Sequence, residues 1–208
     1  ILYDPAAPSF EAEVAEIKAG SPDAVTVIGF EESVKLVQEM IKQGVGPADV
    51  QLYLVDGNLS TTAFADFPKD TMKGTVGTVP SGSEDLTAFY DRMATFDPAL
   101  TDYSYGPQSY DATMVIALAA QQAGCADGVA IAAALADVAG NGGEACSTYA
   151  DCLALIDAGT DIDYMGVTGG VDFNEFGDLL EGTISINEYS SNTEFSEIGS
   201  VTAVVPLP

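Results

Sequence analysis

The sequence predicts an α/β protein built around a parallel sheet. Two apolar runs, residues 24–28 and 50–55, are each preceded by a helical pattern, over residues 10–17 and 32–43. Helices and strands that alternate in this way are typical of βαβ units, which form parallel sheets with right-handed crossovers. With 208 residues, of which 47% are hydrophobic, the chain can bury the core of one large domain or two small ones.

The first helical pattern follows Pro8. Ser9 is the expected N-cap, because a serine hydroxyl at this position accepts a hydrogen bond from a free backbone N–H. Phe10, Val14 and Ile17 fall on one face at helical spacing. The following Gly-Ser-Pro sequence ends the helix.

The two apolar runs predict neighbouring strands. Residues 24–28 carry no charge, and we expect this strand to be buried on both faces, as strands of parallel sheets are. A helix over residues 32–43 follows and ends at Gly44, after which residues 50–55 form the second strand.

The rest of the chain is less regular. Residues 58–73 show no period, residues 74–79 predict a strand, and Ser83 is the expected N-cap of a helix over residues 84–95. The remaining predicted elements are helices over residues 108–122, 128–138 and 148–157, a hairpin at 170–178, a strand over 183–189 and a final apolar segment at 201–207.

The composition excludes several functions. Six Lys and Arg stand against 32 Asp and Glu, which gives a formal net charge of −26. Such a surface repels phosphate backbones, so we expect no nucleic-acid partner. The chain has no histidine, which removes Ser-His and Cys-His catalysis and histidine metal ligands. We therefore expect no catalytic residue, no metal and no cofactor.

The three cysteines point to the redox setting. Cys146 and Cys152 lie six residues apart, outside any zinc-binding pattern. A local disulfide fits this spacing and implies an oxidising, exported compartment, although two reduced cysteines are the alternative. Cys125 ends a helix and is expected to be a small buried residue. The longest apolar run, residues 114–120, is far too short for a membrane span.

Candidate binding residues follow the two predicted strands. Small ligands bind open parallel sheets beyond the carboxyl ends of the strands, where this sequence has Gly29-Phe30 and Asp56-Gly57. The Asp56 carboxylate can pair with a ligand ammonium group, but Asp-Gly-Asn is also turn chemistry. The two glycines permit close backbone approach, or serve only as turn residues.

The order of the segments resembles the branched-chain amino-acid-binding (Leu/Ile/Val-type) family of type I periplasmic solute-binding proteins of ABC transporters. The matching segments are residues 22–30, 55–58, 110–112 and 169–182, which read PDAVTVIGF, VDGN, YDA and GGVDFNEFGDLLEG. The resemblance implies two α/β lobes that close on a ligand between them. It also implies that this chain is the C-terminal portion of such a protein.

The resemblance further implies how the chain is divided. Residues 1–78 and 180–208 would form the parallel-sheet second lobe. Residues 79–179 would be the returning helices and hairpin of the first lobe, whose main sheet would be absent from this chain. Phe30 and Tyr105 correspond to aromatic residues that line the cleft, with ordinary packing as the alternative, and Asp56 corresponds to an acidic residue that pairs with the ligand's α-amino group.

The function implied is non-catalytic. The chain would belong to an extracytoplasmic protein, periplasmic or a cell-surface lipoprotein, that captures a small amino-acid-like ligand for the membrane permease of an ABC importer. An extracellular ligand-sensing receptor domain of the same fold is the alternative. A small α/β enzyme is a third hypothesis, against which the missing histidine and phosphate-binding loop argue.

Overall fold

A computed structural model describes residues 1–82, 85–100, 102–140, 142–174 and 176–204. The chain divides into two compact units. Unit 1 comprises Ile1–Val79 and Ser185–Val201, and unit 2 comprises Pro80–Ile184 and Thr202–Pro208.

The helices among these residues are α1 (Glu11–Ala19), α2 (Ser33–Gln43), α3 (Thr87–Phe96), α4 (Gly106–Ala123), α5 (Gly128–Val138) and α6 (Tyr149–Asp157). The strands are β1 (Ala24–Val27), β2 (Gln51–Leu54), β3 (Val76–Ser81), β4 (Glu144–Cys146), β5 (Ile162–Gly166), β6 (Gly169–Gly170), β7 (Glu181–Tyr189) and β8 (Phe195–Val204). The predicted cap Ser83 and the next residue, Glu84, lie outside the described residues.

The larger sheet has the strand order β1-β2-β3-β7-β8. Strand β2 pairs in parallel with both β1 and β3, and Ala24 lies opposite Gln51 in the first of these pairs. Only residues 190–194 join β7 to its neighbour β8, and parallel strands need a longer crossover, so these two strands form a hairpin. The predicted α/β class, with a parallel-rich sheet, is confirmed.

Strand β1 differs from the prediction in its burial. Val27 is buried, but Ala24 and Thr26 are exposed, and Ile28 just beyond the strand is 74% exposed. The expected burial on both faces is wrong, because the face that carries Ala24 and Thr26 is not covered by the described residues; the interior strand β2 likewise buries one face only.

The start of α1 is shifted by one residue from the prediction. Phe10 is the N-cap residue and makes no side-chain capping bond. The hydroxyl of Ser9 instead accepts a weak hydrogen bond from the Glu11 N–H at 3.3 Å. The predicted apolar face is correct, since Phe10 and Val14 are both buried. Helix α2 ends as predicted on Gly44, which has the left-handed φ of 75° that favours glycine.

Unit 1 has its core between α1, α2 and the sheet. Its most buried large side chains are Phe10, Val14, Val37, Met40, Leu52, Leu54, Phe64, Met72 and Tyr189. Phe64 and Met72 come from the segment between β2 and β3 that showed no sequence period. Irregular chain therefore completes this core.

Unit 2 contains a small sheet that the sequence did not predict. Strand β4 pairs in parallel with β5, and β5 pairs antiparallel with β6. Its core joins this sheet to α4, α5 and α6, and includes Val115, Leu118, Ala119, Val138, Cys152, Ile162 and Tyr164. Phe173 and Leu179 form an antiparallel bridge in the predicted hairpin.

The cysteines of unit 2 behave differently from one another. Cys146, at the end of β4, forms the predicted disulfide with Cys152 in α6 across a Cα–Cα distance of 5.3 Å. Cys125 is exposed, so its expected burial is wrong. It follows Gly124, where α4 ends in a left-handed turn and the chain leaves the core.

Among the described residues, no single helix is long and apolar enough to cross a membrane. Helices α4 and α5 meet the length and composition requirement only when they are taken together, and they are bent by 107° relative to each other.

Candidate functional site

The carboxyl ends of β1 and β2 bring four of the predicted site residues together. The strands are parallel neighbours, so Gly29-Phe30 and Asp56-Gly57 emerge at the same edge of the sheet. A Cβ atom on Gly57 would lie 2.6 Å from the Gly29 carbonyl oxygen and 2.9 Å from the Phe30 ring. Gly57 is therefore required for the close approach of the two loops.

The exposed side chains at this edge include an acid and an aromatic ring. The Phe30 side chain is 70% exposed, and Asp56 is exposed at the turn after β2. A solvent-exposed carboxylate beside an exposed aromatic face can bind a ligand that carries an ammonium group and an apolar portion.

Asn58 holds this edge together, and the sequence did not single it out. Its buried amide Nδ2 donates to the Val27 carbonyl at 3.0 Å and to the Ser33 hydroxyl at 2.9 Å. Its Oδ1 accepts from the Val55 N–H at 2.8 Å, and its own N–H donates to the Val55 carbonyl at 3.1 Å. These bonds join the end of β1, the start of α2 and the turn after β2. The signal in the sequence that could have identified this role is Asn58 itself, because asparagine in a turn often forms hydrogen bonds with nearby backbone groups.

A second polar pair supports the loop after β1. Glu32 accepts hydrogen bonds from the Tyr3 hydroxyl at 2.7 Å and from the Phe30 N–H at 3.0 Å. Desolvation raises the pKa of Glu32, but these hydrogen bonds outweigh it and leave the pKa below its usual value. Burial, together with the Glu32 carboxylate, raises the pKa of Tyr3 to about 12. Glu32 thus remains ionised and holds the Phe30 backbone in place.

Tyr105, the fifth predicted site residue, belongs to unit 2. It is the N-cap residue of α4, with a left-handed φ of 60°, and is 39% exposed. This conformation is uncommon for a residue with a side chain and fixes the direction in which α4 begins. The other four predicted residues belong to unit 1.

An aromatic cluster with an arginine lies near the start of α4. The rings of Phe89 and Tyr110 are 5.3 Å apart, as are those of Tyr90 and Tyr103. The Arg92 guanidinium lies 5.1 Å from the Phe89 ring centre and 4.9 Å from that of Tyr110. Arg92 is the one basic residue in the sequence of unit 2. The single side-chain positive charge of this unit therefore lies against two aromatic rings, in cation–π contacts.

Asp111 is a buried carboxylate that the sequence analysis passed over. It accepts hydrogen bonds from the Tyr164 hydroxyl at 2.9 Å, from the Val167 N–H at 2.9 Å, and from the N–H and hydroxyl of Thr168 at 2.8 and 2.6 Å. A Cβ atom on Gly166 would touch the carboxylate. Burial, followed by the charge of Asp111, raises the pKa of Tyr164. Asp111 is the one charged residue of the apolar helix α4. A lone carboxylate in such a helix needs hydrogen-bond donors when it is buried, and this was the signal in the sequence.

The described residues contain no group of three or more His, Cys, Asp or Glu side chains that could hold a metal ion. The groups gathered at the ends of β1 and β2 are suited to binding a small polar molecule through its charge and its apolar surface.

Comparison with known proteins gives a family match and several structural matches. A family model described as periplasmic binding protein matches residues 1–148. A search of curated proteins gives no match.

Several solved structures share the fold. The leucine-binding protein LivK from Thermotoga maritima is 15% identical with a TM-score of 0.68, and the match covers 97% of this chain and 51% of that protein. LivJ from Streptococcus pneumoniae, a branched-chain amino-acid transporter substrate-binding protein in complex with isoleucine, is 17% identical with a TM-score of 0.65, covering 98% and 51%. A solute-binding protein from R. palustris in complex with 4-hydroxybenzoate is 14% identical with a TM-score of 0.66, covering 97% and 51%. This chain thus spans about half the length of the structures it matches.

Proposed function

The chain belongs to the periplasmic binding protein family, and we propose that it captures a small amino-acid-like ligand as part of the solute-binding component of an ABC importer. The observation that carries the proposal is the meeting of Gly29-Phe30 and Asp56-Gly57 at the carboxyl edge of a parallel sheet. This is the edge at which open α/β sheets bind small molecules.

Each group at this edge has a distinct proposed role. The Asp56 carboxylate pairs with the ligand ammonium group through a charge-assisted hydrogen bond. The exposed Phe30 ring packs against the apolar portion of the ligand. Gly29 and Gly57 keep the backbone open to close approach.

In this proposal the chain supplies one wall of a binding cleft. Residues 1–78 and 180–208 form the second lobe of a two-lobed protein, and residues 79–179 belong to its first lobe. The ligand is held by charge and shape without chemical change, and the closed form is recognised by a membrane permease. We expect this chain alone to bind the ligand weakly. The proposed contacts at this edge bind the ligand's ammonium group and apolar portion, and none of them binds its carboxylate.

The Cys146–Cys152 disulfide supports an extracytoplasmic location, either periplasmic or as a cell-surface lipoprotein. Disulfides persist in oxidising compartments and are rare in the cytosol. The proposed ligands, which are amino acids and their analogues, would also be captured outside the cell.

Titration of the isotope-labelled chain with isoleucine, followed by amide chemical shifts, tests the proposal. Binding at millimolar concentration should move the resonances of residues 29–30 and 56–57 first. Asp56→Asn should abolish these shifts, since the neutral amide cannot neutralise the ligand ammonium group.

The matched control is Asp66→Asn, which makes the same charge change at another exposed position of unit 1. It should leave the titration unchanged. Leucine, valine and 4-hydroxybenzoate, tested in parallel, define the ligand class. Shifts that stay away from the two strand ends, or that survive in Asp56→Asn, would contradict the assignment of this edge.

A further inference from the structure

The hydrogen-bond ladder between β1 and β2 changes where the two strands end. In this parallel pair the Gln51 N–H donates to the Asp23 carbonyl at 3.0 Å. The bonds of a parallel ladder recur at every second residue, so the register predicts that the Val55 N–H donates to the Val27 carbonyl. The Val55 N–H instead donates to the side chain of Asn58.

The side-chain amide of Asn58 takes the place of this ladder bond. Its Oδ1 accepts from the Val55 N–H at 2.8 Å, and its Nδ2 donates to the Val27 carbonyl at 3.0 Å. A side-chain amide offers the same carbonyl acceptor and N–H donor as a peptide unit. Asn58 therefore supplies an inserted amide, which holds the ends of the two strands apart by the width of one amide group.

The inserted amide is fixed in its orientation. Asn58 is 5% exposed, and its Nδ2 also donates to the hydroxyl of Ser33, a buried residue at the start of α2, at 2.9 Å. Both amide hydrogens thus have acceptors. Because rotation of a buried amide would break these bonds, the spacing that it sets between the strand ends is fixed.

The loops that follow the strands meet again beyond the inserted amide. A Cβ atom on Gly57 would lie 2.6 Å from the Gly29 carbonyl oxygen, so the two loops have no room to move closer. Phe30 and Asp56 each adjoin one of these glycines. Their separation is therefore determined by the inserted amide beneath them and by the contact between the glycines.

We propose that Asn58 is a positioning residue for ligand capture: its inserted amide sets the distance between the loop that carries Phe30 and the loop that carries Asp56. The inference rests on the proposed function, in which Phe30 and Asp56 contact the ligand. Groups that are already held in their bound arrangement bind more tightly than mobile ones, because less order has to be gained on binding. Loss of the inserted amide should weaken binding although both contact residues remain.

Scalar couplings across hydrogen bonds, measured by NMR on the isotope-labelled chain, test the insertion without any variant. The Val55 N–H should couple to the side-chain carbonyl carbon of Asn58. A coupling to the backbone carbonyl carbon of Val27 would overturn the proposal, since the ladder would then continue without Asn58.

Asn58→Asp tests the role in binding. The carboxylate keeps an acceptor for the Val55 N–H but places an oxygen, instead of a donor, against the Val27 carbonyl. Isoleucine, followed through the amide shifts of residues 29–30 and 56–57, should bind about tenfold more weakly than to the parent. The added negative charge alone would attract an ammonium group, so charge cannot explain this loss. Hydrogen exchange of the Phe30 amide should rise about tenfold, because its loop loses support.

The matched control is Asn192→Asp, because Asn192 is another buried asparagine of unit 1 with three side-chain hydrogen bonds. Its Nδ2 donates to the carbonyls of Phe67 and Pro68 at 3.0 and 2.9 Å, and its Oδ1 accepts from the Met72 N–H at 3.0 Å. The control should lower the melting temperature by a similar amount. It should leave the isoleucine affinity and the exchange of the Phe30 amide unchanged.

Should Asn58→Asp fail to fold, Ser33→Ala removes only one acceptor of the inserted amide and should weaken isoleucine binding about threefold. Equal affinity of the parent and the folded variant would overturn the positioning role and leave the proposed function standing. An equal loss of affinity in Asn192→Asp would also overturn it, since the effect would then come from general destabilisation. Absence of isoleucine binding by the parent would refute the proposed function, and the positioning role with it.

Discussion

Two buried polar side chains, Asn58 and Asp111, fix the loops of the two units. Each is surrounded by hydrogen-bond partners, and neither pairs with an opposite charge in the described contacts. Sequence reasoning favoured the exposed Asp56 over the buried Asn58, because a strand end followed by an acid is a familiar binding pattern. Burial is a tertiary property, so a sequence alone does not reveal which of two nearby polar residues faces the core.

Asp111→Asn should destabilise the chain by about 2–3 kcal/mol, measured by urea unfolding. The amide replaces one acceptor oxygen with an NH2 donor, which then faces either the Tyr164 hydroxyl and Val167 N–H or the two donors of Thr168. Asp137→Asn, at an exposed position of α5, is the control and should stay within about 0.5 kcal/mol of the parent. Equal unfolding midpoints for the two variants would show that the buried bonds contribute nothing.

Asp163→Asn should instead stabilise the chain at pH 7. Burial, followed by the carboxylates of Asp172 and Asp161, raises the pKa of Asp163, and its Oδ1 is buried without a hydrogen-bond partner. Because the folded pKa lies above the unfolded value, the folded state binds the proton more tightly. Stability from this group therefore falls as the pH rises through that window.

The measurement is the melting temperature of Asp163→Asn and the parent at pH 7 and at pH 3. The variant should melt higher at pH 7, and the difference should shrink at pH 3, below the reference pKa of 3.8, where the parent side chain is protonated. Asp66→Asn makes the same charge change at an exposed site and should show a smaller pH-dependent gain, because it relieves general repulsion without removing a buried carboxylate. A lower melting temperature of the variant at pH 7 contradicts the argument.

At the scale of elements, helices were predicted more completely than strands. Helix α5 has the predicted bounds, and α4 extends them by a few residues, because a period of 3.6 over ten or more residues is a strong signal. Strands β4 and β5 were missed. Strand β4 has three residues, too few to show a period, and in β5 only Ile162 and Tyr164 face the core.

The short elements of unit 2 need the disulfide more than long ones would. Replacing both Cys146 and Cys152 with Ser should cost about 2 kcal/mol, the loop-closure entropy expected for so short a loop. Urea unfolding measures the loss, and reduction of the parent with a thiol should reproduce it. Cys125→Ser changes an exposed cysteine and should leave stability within about 0.5 kcal/mol. A double variant as stable as the parent would mean that β4 and α6 are held by packing alone.

At the scale of the whole molecule, the fold class followed from the sequence, and so did the proximity of four of the candidate site residues. Strands β1 and β2 are parallel neighbours, so the residues that follow them, Gly29-Phe30 and Asp56-Gly57, lie side by side. The edge position of β1 could not be predicted, because its sequence is as apolar as that of a central strand. Whether a strand lies at the edge of a sheet depends on which other strands pair with it, and the sequence of the strand itself does not show this.

The net charge of −26 sets the last expectation, which is that salt stabilises this chain. Among the described residues, Lys42 pairs with Glu11 and Glu39, and Lys69 pairs with Asp70. The side chains of these pairs are mostly exposed, with the exception of Glu39. Such pairs contribute little, so screening removes little attraction. The repulsion among the acids is spread over the surface, and it weakens as the Debye length falls from about 10 Å at 0.1 M salt to about 3 Å at 1 M.

Raising NaCl from about 0.05 to 0.5 M at pH 7 should therefore increase the melting temperature by at least about 2 °C, which corresponds to about 1 kcal/mol in a chain of this size. The control is the same series at pH 4, where many carboxylates are protonated and the increase should be smaller. Salt also strengthens apolar burial, but that effect does not depend on carboxylate charge. An equal increase at both pH values would assign the stabilisation to apolar burial, and a decrease at pH 7 would mean that attractive pairs outweigh the repulsion.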